Sequence, residues 1–183
     1  WNKTILYWKK GTYPNYLNLS FMKKITIIDY GLGNIKSVLR AFEVSGANTI
    51  VTSNYKDINE SEKLVLPGVG TFGDGMLGLK KLELIDPILD FVKKEKPILG
   101  ICLGMQLMLE SGNEFGINYG LGLMKGKVIE IPNGSLEGDI IRKIPHVGWN
   151  KLMINSKNNF ILNGIDRDDY FYFVHSYMAV LDD

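Results

Sequence analysis

The residue best suited to covalent chemistry is Cys102, the only cysteine, in the run "LGICLGMQL" from Leu99 to Leu107. Gly100 and Gly104 stand two positions to either side of it, which is the G-x-C-x-G spacing of a nucleophile elbow. On such a strand-to-helix turn larger side chains would collide, so small residues are needed there. The turn also sets the sulfur beside the first N–H groups of a helix, whose partial positive charge favours thiolate over thiol. A lone cysteine is otherwise most often a small buried hydrophobe. The flanking glycines are what favour a nucleophile.

A thiolate attacking a carboxamide or ester produces an oxyanion that needs fixed N–H donors. "PGVG" (Pro67 to Gly70) follows the apolar run "KLVL". It would bring a glycine-flexible loop to the sheet edge that carries Cys102, because ligands bind at the carboxyl ends of parallel strands. The backbone N–H groups near Gly70 and of Leu103 are the candidate donors. A plain turn after a strand accounts for the tetrapeptide equally well.

Competing motifs are weaker. "GLGN" lacks the third glycine of G-x-G-x-x-G, since Lys36 stands in its place. His146 and His175 have no metal-ligand spacing, so no metal or cofactor is expected. Tyr170, Phe171, Tyr172 and Phe173 read as strand and core rather than a stacking platform.

These residues need a scaffold, and alternating patterns supply one. "KITIID", "NTIVT", "KLVL" and "PILGI" read as strands. Ile35, Val38, Leu39 and Phe42 share one helical face before Gly46, and Leu84 to Lys94 form a second helical stretch after "PGVGTFGDGM". The residues after Cys102, "MQLMLES", are expected to continue as a helix. This alternation predicts an α/β fold, a doubly wound and mostly parallel sheet with helices on both faces. Beyond Gly120, "GKVIEI", "HVGWNKLMI", "YFYFVHSY" and "MAVL" are β-rich, separated by "PNGS", "NSKNN" and "DRDD". They predict an antiparallel β extension of the same domain.

The 183 residues are 45% hydrophobic with mean hydropathy near zero, enough to bury a full core. Twenty-one Lys and Arg balance twenty Asp and Glu, and no basic run exceeds Lys-Lys, so a nucleic-acid partner is not expected. A single cysteine excludes an internal disulfide framework and fits a reducing cytoplasm. Ile98 to Leu109 is too short and too interrupted to span a bilayer, and no membrane association is expected. The opening residues lack the apolar core of a secretory signal. Met22 is the expected natural start, with 1–21 an extension, disordered or read-through, and 22–183 the domain.

The motifs accumulate into a resemblance. "IDYGLGNIKSV", "LPGVGTFGDGM", "ILGICLGMQLM", "GLGL", "IPHVGWNKL" and "YFVHSY" resemble, in order and spacing, the class I glutamine amidotransferases. Within them the chain most closely resembles the glutaminase subunits of imidazole glycerol phosphate synthases, over Lys24 to about Val180. The resemblance implies that Cys102 attacks the side-chain carboxamide of glutamine and forms a thioester. It implies oxyanion roles for Gly70 and Leu103, and glutamine-holding roles for Gln106, Glu114, Ser176 and Tyr177. His146, Trp149 and Asn150 fall in the segment near the interface with the partner, a (βα)8-barrel cyclase with which such subunits form a heterodimer in histidine biosynthesis. Ammonia passes to that partner through a protected channel.

One departure stands out. The family's general base lies in a His-Pro-Glu triplet, and no such triplet occurs here. The histidine and glutamate that would partner Cys102 are expected beyond Asp183. The chain is accordingly expected to lack the C-terminal portion of the domain and, alone, to turn over little or no glutamine. Two alternatives remain open at this point: a paralogue supplying ammonia for surface-sugar amination, and a catalytically silent module that docks on a barrel partner.

Overall fold

The computed structural model describes residues 24–132, 136–137, 140–141, 143–153, 162 and 164–182. The expected extension over 1–21 lies outside them, as do 133–135 of "PNGS" and all of "NSKNN". Asp183, beyond which the histidine and glutamate are expected, also lies outside the described residues. Four short strands, β1 (Ile25–Ile28), β2 (Thr49–Thr52), β3 (Lys63–Leu66) and β4 (Ile98–Gly100), form one sheet in the order β2-β1-β3-β4. Every pairing in it is parallel. The helices between them are α1 (Ile35–Val44), α2 (Tyr55–Glu60), α3 (Phe72–Lys81) and α4 (Ile85–Lys93).

Strand alternation divides the core in two, as a pleated sheet with both faces covered requires. Ile27 and Val65 pack with Val38 and, at its margin, Ile35, Leu39 and Phe42 of α1. Ile28, Leu64 and Leu66 face the other way, into a larger cluster with Ile58, Phe72, Leu79, Ile88 and Phe91 of α2, α3 and α4. Local chemistry sets the helix ends. Asn34 caps α1 by accepting from the Ser37 N–H, and Gly46 leaves the helix at φ +80. Thr71 caps α3 in the same way, accepting from the Asp74 N–H at 3.2 Å.

Two elements depart from the pattern read in the sequence. The glycine-rich "TFGDGM", to which the alternating pattern assigns no element, supplies the N-cap and first half of α3. Its glycines let the helix lie close: a Cβ at Gly75 would stand 2.9 Å from Leu107, and one at Gly78 would stand 2.9 Å from the Tyr30 carbonyl oxygen. Packing has overridden helix propensity. Second, the helix after Cys102, α5 (Leu103–Gln106), is a single turn. The chain then becomes strand β5 (Leu109–Gly112) because its carbonyls are taken by a distant segment. Leu107 O accepts from the Leu121 N–H, and Met108 O from those of Leu123 and Met124.

The β-rich second half is present. After β6 (Asn118–Tyr119) and β7 (Met124–Glu130) come the short pair β8 (Leu136–Glu137) and β9 (Ile140–Ile141). Then follow β10 (His146–Lys151), β11 (Tyr170–His175) and β12 (Tyr177–Leu181). A second sheet has the order β12-β7-β5-β6, mostly antiparallel but with β5 and β7 parallel. Strands β10 and β11 pair antiparallel, His146 opposite His175.

Candidate active site

Strands β3 and β4 lie side by side in register Leu66 to Gly100, so the segments leaving them, Pro67 to Gly70 and Ile101 to Gly104, emerge at one sheet edge. The Ile101 N–H donates to Leu66 O at 2.9 Å and fixes that adjacency. Cys102 then takes φ +55, ψ −120, a conformation that costs a non-glycine residue on the order of 1–3 kcal/mol. Its neighbours make the turn possible. A Cβ on Gly104 would overlap the Leu66 carbonyl, and one on Gly100 would overlap the backbone of Met105. The glycine spacing is therefore a steric requirement.

The loop closes over this turn. A Cβ at Gly68 would stand 3.0 Å from both the Gly104 nitrogen and Leu103 Cβ, so Pro67 to Gly70 rests directly on the start of α5. Among the described residues no backbone acceptor takes the N–H of Gly70 or of Leu103. Gly70 sits exposed at φ +109. Gln106, half-buried, donates its N–H to Cys102 O at 3.2 Å. One turn of helix carries only a small dipole, so it offers the sulfur less positive charge than the long helix expected from the sequence.

Glu114 enters from the segment after β5, and its carboxylate accepts from the Phe72 N–H at 2.8 Å, holding the first turn of α3. Tyr177 lies within electrostatic reach of Glu114. Its phenol is pushed above the usual range, first by loss of solvent and then by the charges of Glu114 and Glu130. Ser176, just before it, accepts the Ile131 N–H at its carbonyl, at 2.9 Å. Cys102 and the Gly70–Leu103 edge thus form one group, and Glu114 with Tyr177 a second.

The histidines join the second group through the Tyr177 carbonyl. His175 Nδ1 donates to Tyr177 O at 2.9 Å, so in the neutral ring its Nε2 accepts from His146 Nδ1 at 3.0 Å, and His146 Nε2 accepts from the Asn150 amide at 2.7 Å. The carbonyl at one end sets the direction of the whole chain of donors. All four ring nitrogens are engaged, none of them by Cys102. Trp149 stands 65% exposed beside Tyr172, with the ring centroids 5.5 Å apart.

One residue went unremarked in the sequence. Tyr30, two residues past the end of β1, is only 3% exposed, and its hydroxyl has no hydrogen-bond partner among the described residues. Burial, and after it the charge of a Cys102 thiolate, push its phenol well above the usual range. The available signal was its place in "IDYG", an aromatic at the carboxyl end of a parallel strand. Among the described residues no cluster of three or more metal-ligating side chains occurs, and no helix is long and apolar enough to cross a membrane.

The family model for class I glutamine amidotransferases matches residues 26–182. The chain is 46% identical over 159 residues to the imidazole glycerol phosphate synthase subunit HisH of Sulfurimonas denitrificans, covering 87% of this chain and 75% of that one. It is 47% identical over 161 residues to HisH of Aquifex aeolicus, with 87% and 74% covered. The chain belongs to the HisH branch of the class I glutamine amidotransferases. Solved structures show the same fold at low identity. The PurLQS structure from Thermotoga maritima matches with a TM-score of 0.63 and 19% identity, over 88% of this amidotransferase chain and 71% of that one. A structure described as a glutamine amidotransferase matches with a TM-score of 0.59 and 12% identity, over 86% and 74%.

Proposed function

We propose that this chain is the glutaminase subunit of an imidazole glycerol phosphate synthase, releasing ammonia from glutamine for a (βα)8-barrel cyclase in histidine biosynthesis. The strained Cys102 turn, locked between two glycines and covered by the Pro67–Gly70 loop, carries this reading. The Cys102 thiolate adds to the carboxamide carbon, and the carbonyl π electrons move to oxygen. The N–H groups of Gly70 and Leu103 receive that oxyanion. Collapse breaks the C–N bond, ammonia leaves with an added proton, and the glutamyl group remains as a thioester. Water then cleaves the thioester to glutamate and restores the thiol.

Gln106, Glu114, Ser176 and Tyr177 hold the glutamine. His146, Trp149 and Asn150 belong to the strand beside the cyclase: the exposed Trp149 on its outer face is the kind of side chain that anchors an interface, while His146 and Asn150 hold the strand from the opposite face. With both histidines engaged in the β10–β11 pair, neither imidazole is free to serve the departing ammonia. That service falls to the histidine and glutamate expected beyond Asp183. Turnover by these 183 residues alone is expected to fall short by roughly 10²–10⁴-fold, the usual worth of positioned acid–base help. A glutamine-like diazo-ketone tests the nucleophile without needing turnover. It should label Cys102 covalently, with labelling lost in Cys102→Ala. An unlabelled chain would support instead a silent docking module, the reading that the engaged histidines favour.

A further inference from the structure

We propose that Asn118 is a positioning residue for the glutamine site, fixing the turn that aims the Glu114 carboxylate. The inference rests on the reading that Glu114 holds glutamine, and adds a residue that neither the motifs nor that reading includes. Strands β5 and β6 form a hairpin with Gly112 opposite Asn118. Its tip, 113–117, passes through Phe115 at φ +52 and Gly116 at φ +109. Two successive residues in the left-handed region, one of them a bulky aromatic, need a hold from outside the turn. The Asn118 amide supplies it: Nδ2 donates to Glu114 O at 3.0 Å and to Gly116 O at 3.1 Å. One side chain thus fastens the turn on either side of Phe115.

The same side chain meets helix α3. A Cβ at Gly73 would stand 3.1 Å from Asn118 Oδ1, so the amide lies against the first turn of that helix. One residue earlier, the Phe72 N–H donates to Glu114 Oε2 at 2.8 Å. Phe72 opens α3 two residues beyond Gly70, where a backbone N–H has no helical acceptor and a carboxylate is favoured. Glu114 is therefore held at two points, its carbonyl by Asn118 and its carboxylate by α3. Its Oε1 accepts no hydrogen bond among the described residues, so the carboxylate is oriented through one oxygen and open to substrate at the other. Without the Asn118 bonds, Phe115 is free to leave its strained conformation, and Glu114 turns with it.

The test compares the 183-residue chain with Asn118→Ala and with Asn118→Asp, which keeps the shape but cannot donate. Cys102 inactivation by the glutamine-like diazo-ketone is followed against its concentration, separating the half-saturating concentration from the limiting rate. Both variants should raise the half-saturating concentration about tenfold, the worth of a lost hydrogen bond or two. The limiting rate, and alkylation of Cys102 by iodoacetamide, should stay within about twofold of the parent. A change confined to the limiting rate, or an equal slowing with iodoacetamide, overturns the proposal, because Asn118 would then support the fold at large. In a Glu114→Gln chain, adding Asn118→Ala should have little further effect, since the amide acts through Glu114; a second rise of the same size overturns it. Exchange of the Phe72 amide, read by NMR, needs no substrate. It should quicken about tenfold in Asn118→Ala, and unchanged exchange overturns the placement of Glu114 by Asn118. If iodoacetamide alkylates the parent but the diazo-ketone ignores it, the glutaminase reading fails while the Phe72 exchange still decides whether Asn118 places Glu114.

Discussion

At the elbow, backbone lies against backbone. Gly104 touches the Leu66 carbonyl, Gly100 touches Met105, and the loop at Gly68 rests on Leu103. In the β10–β11 pair the order comes from side chains reaching across two strands: His146 to His175, Trp149 against Tyr172, Lys151 to Asp168. Phe171 and Phe173 anchor its inner face, while Val147, Trp149, Tyr172 and Val174 stand exposed on the outer one. The first region has no slack because a carbon atom has nowhere to go. The second can lose a contact and keep its strands. A reactive group that must be aimed within a fraction of an ångström belongs on the first kind of support, and a surface that must meet a partner fits the second.

The contrast can be broken by experiment. Gly104→Ala should do the most damage, on the order of 3–5 kcal/mol in chemical denaturation, because the added methyl meets a strand carbonyl that cannot move aside. A loss below about 1 kcal/mol would mean that the elbow has slack after all. His175→Ala should cost about 1–3 kcal/mol, since it removes the part-buried hydrogen bonds to His146 and to the Tyr177 carbonyl. Iodoacetamide labelling of Cys102 in that variant should be unchanged, and a slowed reaction would show that the two regions are coupled. Asp168→Asn should leave the denaturation midpoint where it was. Its pair with Lys151 is solvent-exposed, although each partner's charged form is favoured by the other through their hydrogen bond. A measurable drop would assign the hairpin an electrostatic strength that its geometry does not suggest.

How far each part could be read from residues follows the same division. The parallel strands were legible because alternating burial demands β-branched runs, and Cys102 was legible because steric need fixes two glycines at fixed offsets. The second-half strands were legible as strands, but the parallel pairing of β5 with β7 was not. Glycines at 73, 75 and 78 argued against a helix, and only contact with Leu107 and Tyr30 made α3 the answer. The helix expected through "MQLMLES" lost to carbonyl partners at residues 121–124.

The sequence by itself determined the fold class, the family and the glycine-flanked turn at Cys102, since each rests on spacing along a few consecutive residues. Only the tertiary structure decided that Glu114 holds the Phe72 N–H 42 residues away, that two histidines 29 apart occupy each other, and that a buried tyrosine lies beneath the loop beside the cysteine. The physical reason is range. A turn obeys the atoms it contains, whereas a hydrogen bond between distant segments exists only once the sheet has brought them together.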